Sequence, residues 1–280
     1  MMFKKFIQIW KYIKISKKKI FFFTVSKRQK FIIAVIVLSL ILFLLEQLFG
    51  KSGVYVAVVL SFLTDLFVFW AIRLDLKKNF HAQIFILPFF YSLSCSLFYF
   101  LVPARFLTRM AMTSFYAIGL YSLFLSINIF IVSSVRTIAL LSSARTVSFF
   151  VTLVSYFFLS NVVFSLHLNV FLTLGLIFCF TFPLVLYSIW THTLDNNFFS
   201  GFLLPIFLLS AVLVETALAL WFWPATPTII GLFLTGLFYI FIGLLQSWID
   251  RRLFKAIMWE YVWVAVIVVT VFITFGLRAT

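Results

Sequence analysis

The chain has 280 residues, 65% apolar and only 10% charged, with a formal net charge of +15. Soluble domains run near ~45–50% apolar and ~25% charged, so a soluble globular protein, a disordered chain and a nucleic-acid-binding module are excluded. What remains is an integral membrane protein, and the mean hydropathy of +1.20 agrees.

Residues 1–30 form a basic amphipathic N-terminal segment. They hold ten of the 22 Lys/Arg and no acid. Within residues 2–15, Phe3, Phe6, Ile7, Trp10 and Ile13 recur at helical spacing, and Lys4, Lys5, Gln8 and Lys11 fall on the other side. Lys14 interrupts the pattern. Such a helix lies in the headgroup plane with its lysines toward anionic lipid headgroups, the partner expected for this segment. Nothing in it points to nucleic acid.

Residues 31–280 form a transmembrane helical domain. Nine apolar segments follow one another at about 31–49, 54–72, 83–102, 110–132, 147–165, 168–190, 202–223, 227–248 and 257–277. Each is long enough for a hydrocarbon core of ~30 Å. Each must be helical, because no water is present there to satisfy backbone N–H and C=O groups. The fold class is therefore an all-α polytopic bundle of about nine spans, with short links and mostly antiparallel neighbours. The first span is too long for the ~7–15-residue core of a signal peptide and reads as a permanent anchor. Pro103, Gly201, Pro224 and Pro227 punctuate ends. Pro88 and Pro183 lie inside spans and are expected to bend them, freeing the carbonyls of Ile84 and Cys179. The stretch 133–147 reads either as a short interfacial helix or as an extension of its neighbours.

Orientation follows from Lys and Arg. With the N-terminus in the cytoplasm, the cytoplasmic side collects the tail, Arg73, Lys77, Lys78, Arg136, Arg145, Arg251, Arg252 and Lys255. Only Lys51, Arg105, Arg109 and Arg278 fall outside, a bias of eighteen to four. The C-terminus is then outside, and a bacterial cytoplasmic membrane is the expected location. Trp70, Trp190, Trp221, Trp223, Trp248 and Trp259 sit where an aromatic belt places them. Cys95 and Cys179 read as buried small apolar residues.

Small residues mark the faces expected to be buried between helices. They are Gly119, Ser122, Ser126 and Ser133; Ala57, Ser61 and Thr64 beside Asp65; Ala211, Glu215 and Ala219; and Gly236 with Gly243. Phe-rich faces are expected toward lipid.

Two acids lie deep in spans, Asp65 at roughly 10 Å and Glu215 at roughly 20 Å from the cytoplasmic end. An ionised carboxylate at such depth costs at least ~2.5–3.5 kcal/mol, so each acid is either neutral or paired. Arg136 is the candidate partner of Asp65. Asn128, Asn161 and Tyr116 are the candidate donors to Glu215. Asp65, Glu215, Arg136, Asn128 and Asn161 thus form the candidate intramembrane polar site. Glu46 and Glu260 read as interfacial. His81 and His192 fall on the cytoplasmic side and His167 outside, so they do not converge on a zinc site. His192 and Asp195 are spaced i,i+3, too little for catalysis. No catalytic, cofactor-binding or metal-binding motif is present, and no cofactor is expected.

The strings VETALALWFWP from Val214, GLFYIFIGLLQ from Gly236 and WEYVWVAVIVV from Trp259 resemble uncharacterised polytopic membrane proteins of candidate-phylum-type bacteria. The resemblance covers about residues 140–280 and implies no activity. It singles out Glu215, Trp221, Pro224, Gln246, Glu260 and Tyr261. Three roles are open: non-enzymatic membrane assembly or interaction, a secondary transporter or permease using Asp65 and Glu215, and a membrane-embedded lipid-modifying enzyme.

Overall fold

The computed structural model describes residues 26–48, 53–76, 81–102, 105–133, 140–194 and 198–276. The expected in-plane helix at 2–15 lies outside them, as do Arg136 and Asp195. Among the described residues the chain is all-α. Its nine α-helices are α1 (Lys27–Leu48), α2 (Gly53–Leu76), α3 (Ile86–Leu101), α4 (Phe106–Ser133), α5 (Leu141–Ser165), α6 (Val170–Thr193), α7 (Phe198–Trp221), α8 (Pro227–Ile249) and α9 (Lys255–Gly276). A short 3-10 turn, Ala82–Phe85, precedes α3. Eight segments, from α2 to α9, are long and apolar enough to cross a membrane.

Most helices run a few residues past the apolar segments, because their ends are set by hydrogen bonding rather than hydropathy. At the start of α1, the Ser26 N–H donates to Gln29 Oε1 (2.9 Å) and the Gln29 N–H donates to Ser26 Oγ (3.4 Å). This reciprocal capping box starts the helix four residues before the apolar run. Residues 141–147 belong to α5, so that part of the 133–147 stretch extends its neighbour. Gly201, expected at an end, lies in the first turn of α7. Pro88 sits in the first turn of α3, where its missing N–H has no helical partner to lose, and the 3-10 turn Ala82–Phe85 stands immediately before that helix. Pro183 is inside α6, and Pro205 is inside α7. Arg251 closes α8 in the left-handed region (φ 55°), with its N–H on Trp248 O and that of Arg252 on Ser247 O. That is a Schellman closure made without glycine.

Helix α5 is the centre of the bundle. It packs against α3, α4, α6 and α8. Helix α2 packs on α1, α3 and α4, α7 packs on α6 and α8, and α9 lies on α8. Small residues let these helices approach. A Cβ at Gly231 of α8 would lie 3.3 Å from the Asn161 backbone nitrogen of α5. Gly236 and Gly243 face α9, receiving Val268 and the Tyr261 ring. Four buried hydroxyls offset their desolvation by returning to their own helix: Ser61 to Ala57 O, Thr152 to Ser148 O, Ser155 to Val151 O and Ser210 to Ile206 O, all within 2.9 Å. Aromatic stacks add the rest, Phe98 on Phe158 at 4.2 Å and Tyr156 on Phe238 at 4.4 Å.

Three expectations about burial are corrected. Trp190 is not a belt residue. It is 2% exposed and enclosed by His81, Phe130 and Tyr187. Cys179 is exposed on α6, whereas Cys95 is buried as expected. The stripe Ala211, Glu215, Ala219 is exposed on the outer face of α7, which buries Ile206, Ser210, Leu213, Ala217 and Leu220 instead. Phe is divided between core and surface. Phe31, Phe124 and Phe238 are enclosed, while Phe62, Phe150 and Phe207 face outward.

Candidate functional site

The first polar place joins α2, α3 and α4. Thr64 donates to Ser92 Oγ at 3.0 Å, and the Tyr116 hydroxyl lies 3.0 Å from Ser92 Oγ and 3.4 Å from Thr64 Oγ1. All three side chains are fully buried. The Tyr91 ring stacks on Tyr116 at 5.8 Å, and its hydroxyl donates to the carbonyls of Phe115 and Tyr116. That hydroxyl occupies the notch left by Gly119. Asp65 follows Thr64 on α2 at the border of the buried stripe. It is half-buried, and its Oδ1 is enclosed without a hydrogen-bond partner among the described residues.

The second place closes the opposite ends of α5, α6 and α8. Arg145 of α5 donates from Nε to Thr191 O (3.1 Å) and from Nη2 to His192 O (2.7 Å). A guanidinium at these carbonyls satisfies the free acceptors of the α6 C-terminus and faces its negative dipole end. His192 Nε2 stands 3.5 Å from Asp250 Oδ2, and Gln246 Nε2 donates to Ser188 O at 3.3 Å. Sequence reasoning missed this cluster. Its one advance signal was a basic residue near the end of each of α5 and α6. The acid that joins them comes from α8, more than fifty residues later.

The third place is Glu215, on the outer face of α7 with Ala211 and Ala219 one turn away on either side and Leu208, Val212 and Leu218 exposed around them. A carboxylate there faces no other element among the described residues.

Of the five residues singled out from sequence, Arg136 lies outside the described residues, and the other four do not gather. Asp65 is on α2 and Glu215 on α7, helices with different neighbours. Asn161 is buried on α5 and donates to Thr228 Oγ1 of α8 (3.1 Å), while Ser165 donates back to its side chain. Tyr116, the other proposed donor to Glu215, is engaged with Ser92 and Thr64. Asn128 is half-buried on α4. His81 and His192 share the Trp190 end of the bundle, and His167 lies at the opposite end, where α5 gives way to α6.

No curated protein matches the chain, and no solved structure matches it. Residues 32–275, which take in all nine helices but the ends of the first and last, match the family described as Protein of unknown function (DUF5656), and the chain belongs to that family.

Proposed function

We propose that this protein is a nine-span component of a bacterial cytoplasmic membrane, with α1 as the ninth crossing, the N-terminus inside and the C-terminus outside. Its role is assembly rather than catalysis: α7 binds a transmembrane helix of another protein, and residues 1–30 lie on anionic headgroups. The observation that carries this reading is Glu215, exposed between two alanines on a face of α7 that no helix among the described residues covers. An acid held in hydrocarbon costs at least ~2.5–3.5 kcal/mol unless something answers it. The flanking alanines allow close backbone approach, and a Lys, Arg, Asn or Gln at matching depth on the incoming helix supplies the missing donor. Transport by both acids requires one polar path reaching Asp65 and Glu215, and a lipid-modifying site requires polar groups gathered at one depth. The separation of α2 from α7 favours neither.

Photocrosslinking in intact membranes tests the proposal. A photoreactive residue at Leu208 or Val212 should give one discrete adduct with a second protein, and one at Leu66 on α2 should not. Glu215→Leu should abolish the adduct and Glu215→Gln should weaken it, with unchanged melting in detergent. An absent adduct, an adduct indifferent to position 215, or an adduct with a second copy of this chain overturns the reading.

A further inference from the structure

Two cavities lie side by side, with Val163 as a shared wall, toward the end of the bundle where α5 turns into α6 and α7 into α8. The larger, about 440 Å³, is a lateral groove walled by α2, α3, α5 and α6, with Leu93, Leu97, Leu159, Leu176, Cys179 and Phe180 in its lining. Its size falls within the ~300–1,000 Å³ of small-molecule sites. Its lining is almost wholly apolar, and Tyr55 and Leu176, both exposed, mark its opening on the side of the bundle. The smaller, about 270 Å³, sits at the helix ends and is far more polar, with His167, Thr173, Trp221, Trp223 and Pro224 around it. Val163 of α5 borders both.

An apolar groove along the spans, with a polar pocket that includes two tryptophans beside it at the helix ends, offers the two environments of one amphiphile. The pocket also states the headgroup. Its lining residues carry no fixed charge, and they include Trp221 and Trp223, side chains whose ring faces attract cations. His167 Nδ1 lies 2.9 Å from the Ser165 carbonyl, which can only accept, so in the neutral ring Nδ1 holds the hydrogen and Nε2 is left as an acceptor. An acceptor beside aromatic faces suits an ammonium that has N–H bonds to donate. We infer that this is a binding site for a single phospholipid with a primary ammonium headgroup: one acyl chain fills the groove, and the ammonium rests against the two tryptophans and donates to His167. The site is distinct from the α7 face and does not depend on what binds there.

The test uses the full chain, delipidated in detergent and read by native mass spectrometry after exchange with phosphatidylethanolamine, phosphatidylcholine or phosphatidylglycerol of matched chains. One phosphatidylethanolamine should stay bound per chain, with about tenfold preference over the other two. Cys179→Trp should plug the groove and release all three lipids. Leu176→Trp repeats that test at a second, exposed lining position should the first variant not fold. His167→Gly removes the ring at a backbone φ of 47° that glycine adopts freely, and should erase the headgroup preference while leaving chain binding. Equal retention of the three lipids, retention of none, or groove variants that hold lipid as the native chain does would each overturn the site.

Discussion

The Tyr91 hydroxyl is held in a space that exists only because residue 119 has no side chain. It uses the space to reach two carbonyls of α4, so Gly119 sets both a helix–helix distance and a hydrogen bond. Gly119→Ala must push the ring out or shift α4, at a cost of about 1–3 kcal/mol. Tyr91→Phe removes the obstructing oxygen, so the double variant should be less destabilised than the sum of the two single changes. Melting of the four proteins in detergent measures that coupling, and strict additivity would place the hydroxyl elsewhere. Residues of this kind were partly legible. Gly119 stood out as small, and Asp65 and Glu215 stood out because hydropathy isolates any acid in an apolar run. Their surroundings were not legible. Nothing local distinguishes the enclosed Trp190 from the exposed Trp248, or Cys95 from Cys179, because each pair sits in the same kind of apolar segment and differs only in which neighbour arrives from far along the chain.

Among the elements, α9 is the most loosely built in. Six per cent of its most apolar stretch is buried, against 67% for α5. Its seat is the pair of notches at Gly236 and Gly243, filled by Val268 and Tyr261. Gly243→Leu should therefore lift α9 while the α3–α5–α6 centre keeps its packing, at about 1–3 kcal/mol for the overfilled notch. Protease access to the 250–254 link should rise, with little change in the main thermal transition. A joint collapse of both would mean that α9 is integral to the core. The notch was legible in the sequence as two glycines seven apart, two turns on one face. The capping box was equally available as Ser26 and Gln29 but masked by the basic residues among them, which draw attention to charge. The Schellman closure at Arg251 and the Arg145 cap on α6 were not legible, since one dispenses with the usual glycine and the other comes from the neighbouring helix.

At the scale of the molecule, the order of the nine helices among the described residues was legible because lipid leaves so few choices: a long apolar run has to become a helix, and short links return it. Which helices touch was not, since a run of Leu, Phe and Val matches any partner equally well and the decision falls to single glycines and hydroxyls. Sidedness rests on the distribution of Lys and Arg and makes a direct prediction. Three candidate spans, α6, α7 and α8, separate His167 from Arg252, so the proposed threading puts the two on opposite faces of the membrane. The native cysteines leave the background clean, since Cys95 is enclosed and Cys179 lies along a span in an apolar groove, away from water-borne reagents. With an impermeant maleimide on intact cells, His167→Cys should label at once and Arg252→Cys only after permeabilisation. The reverse pattern would invert the protein while keeping its fold. Equal labelling of the two would mean that one of the three helices does not cross, and the eighteen-to-four bias would then have been counted across the wrong boundary.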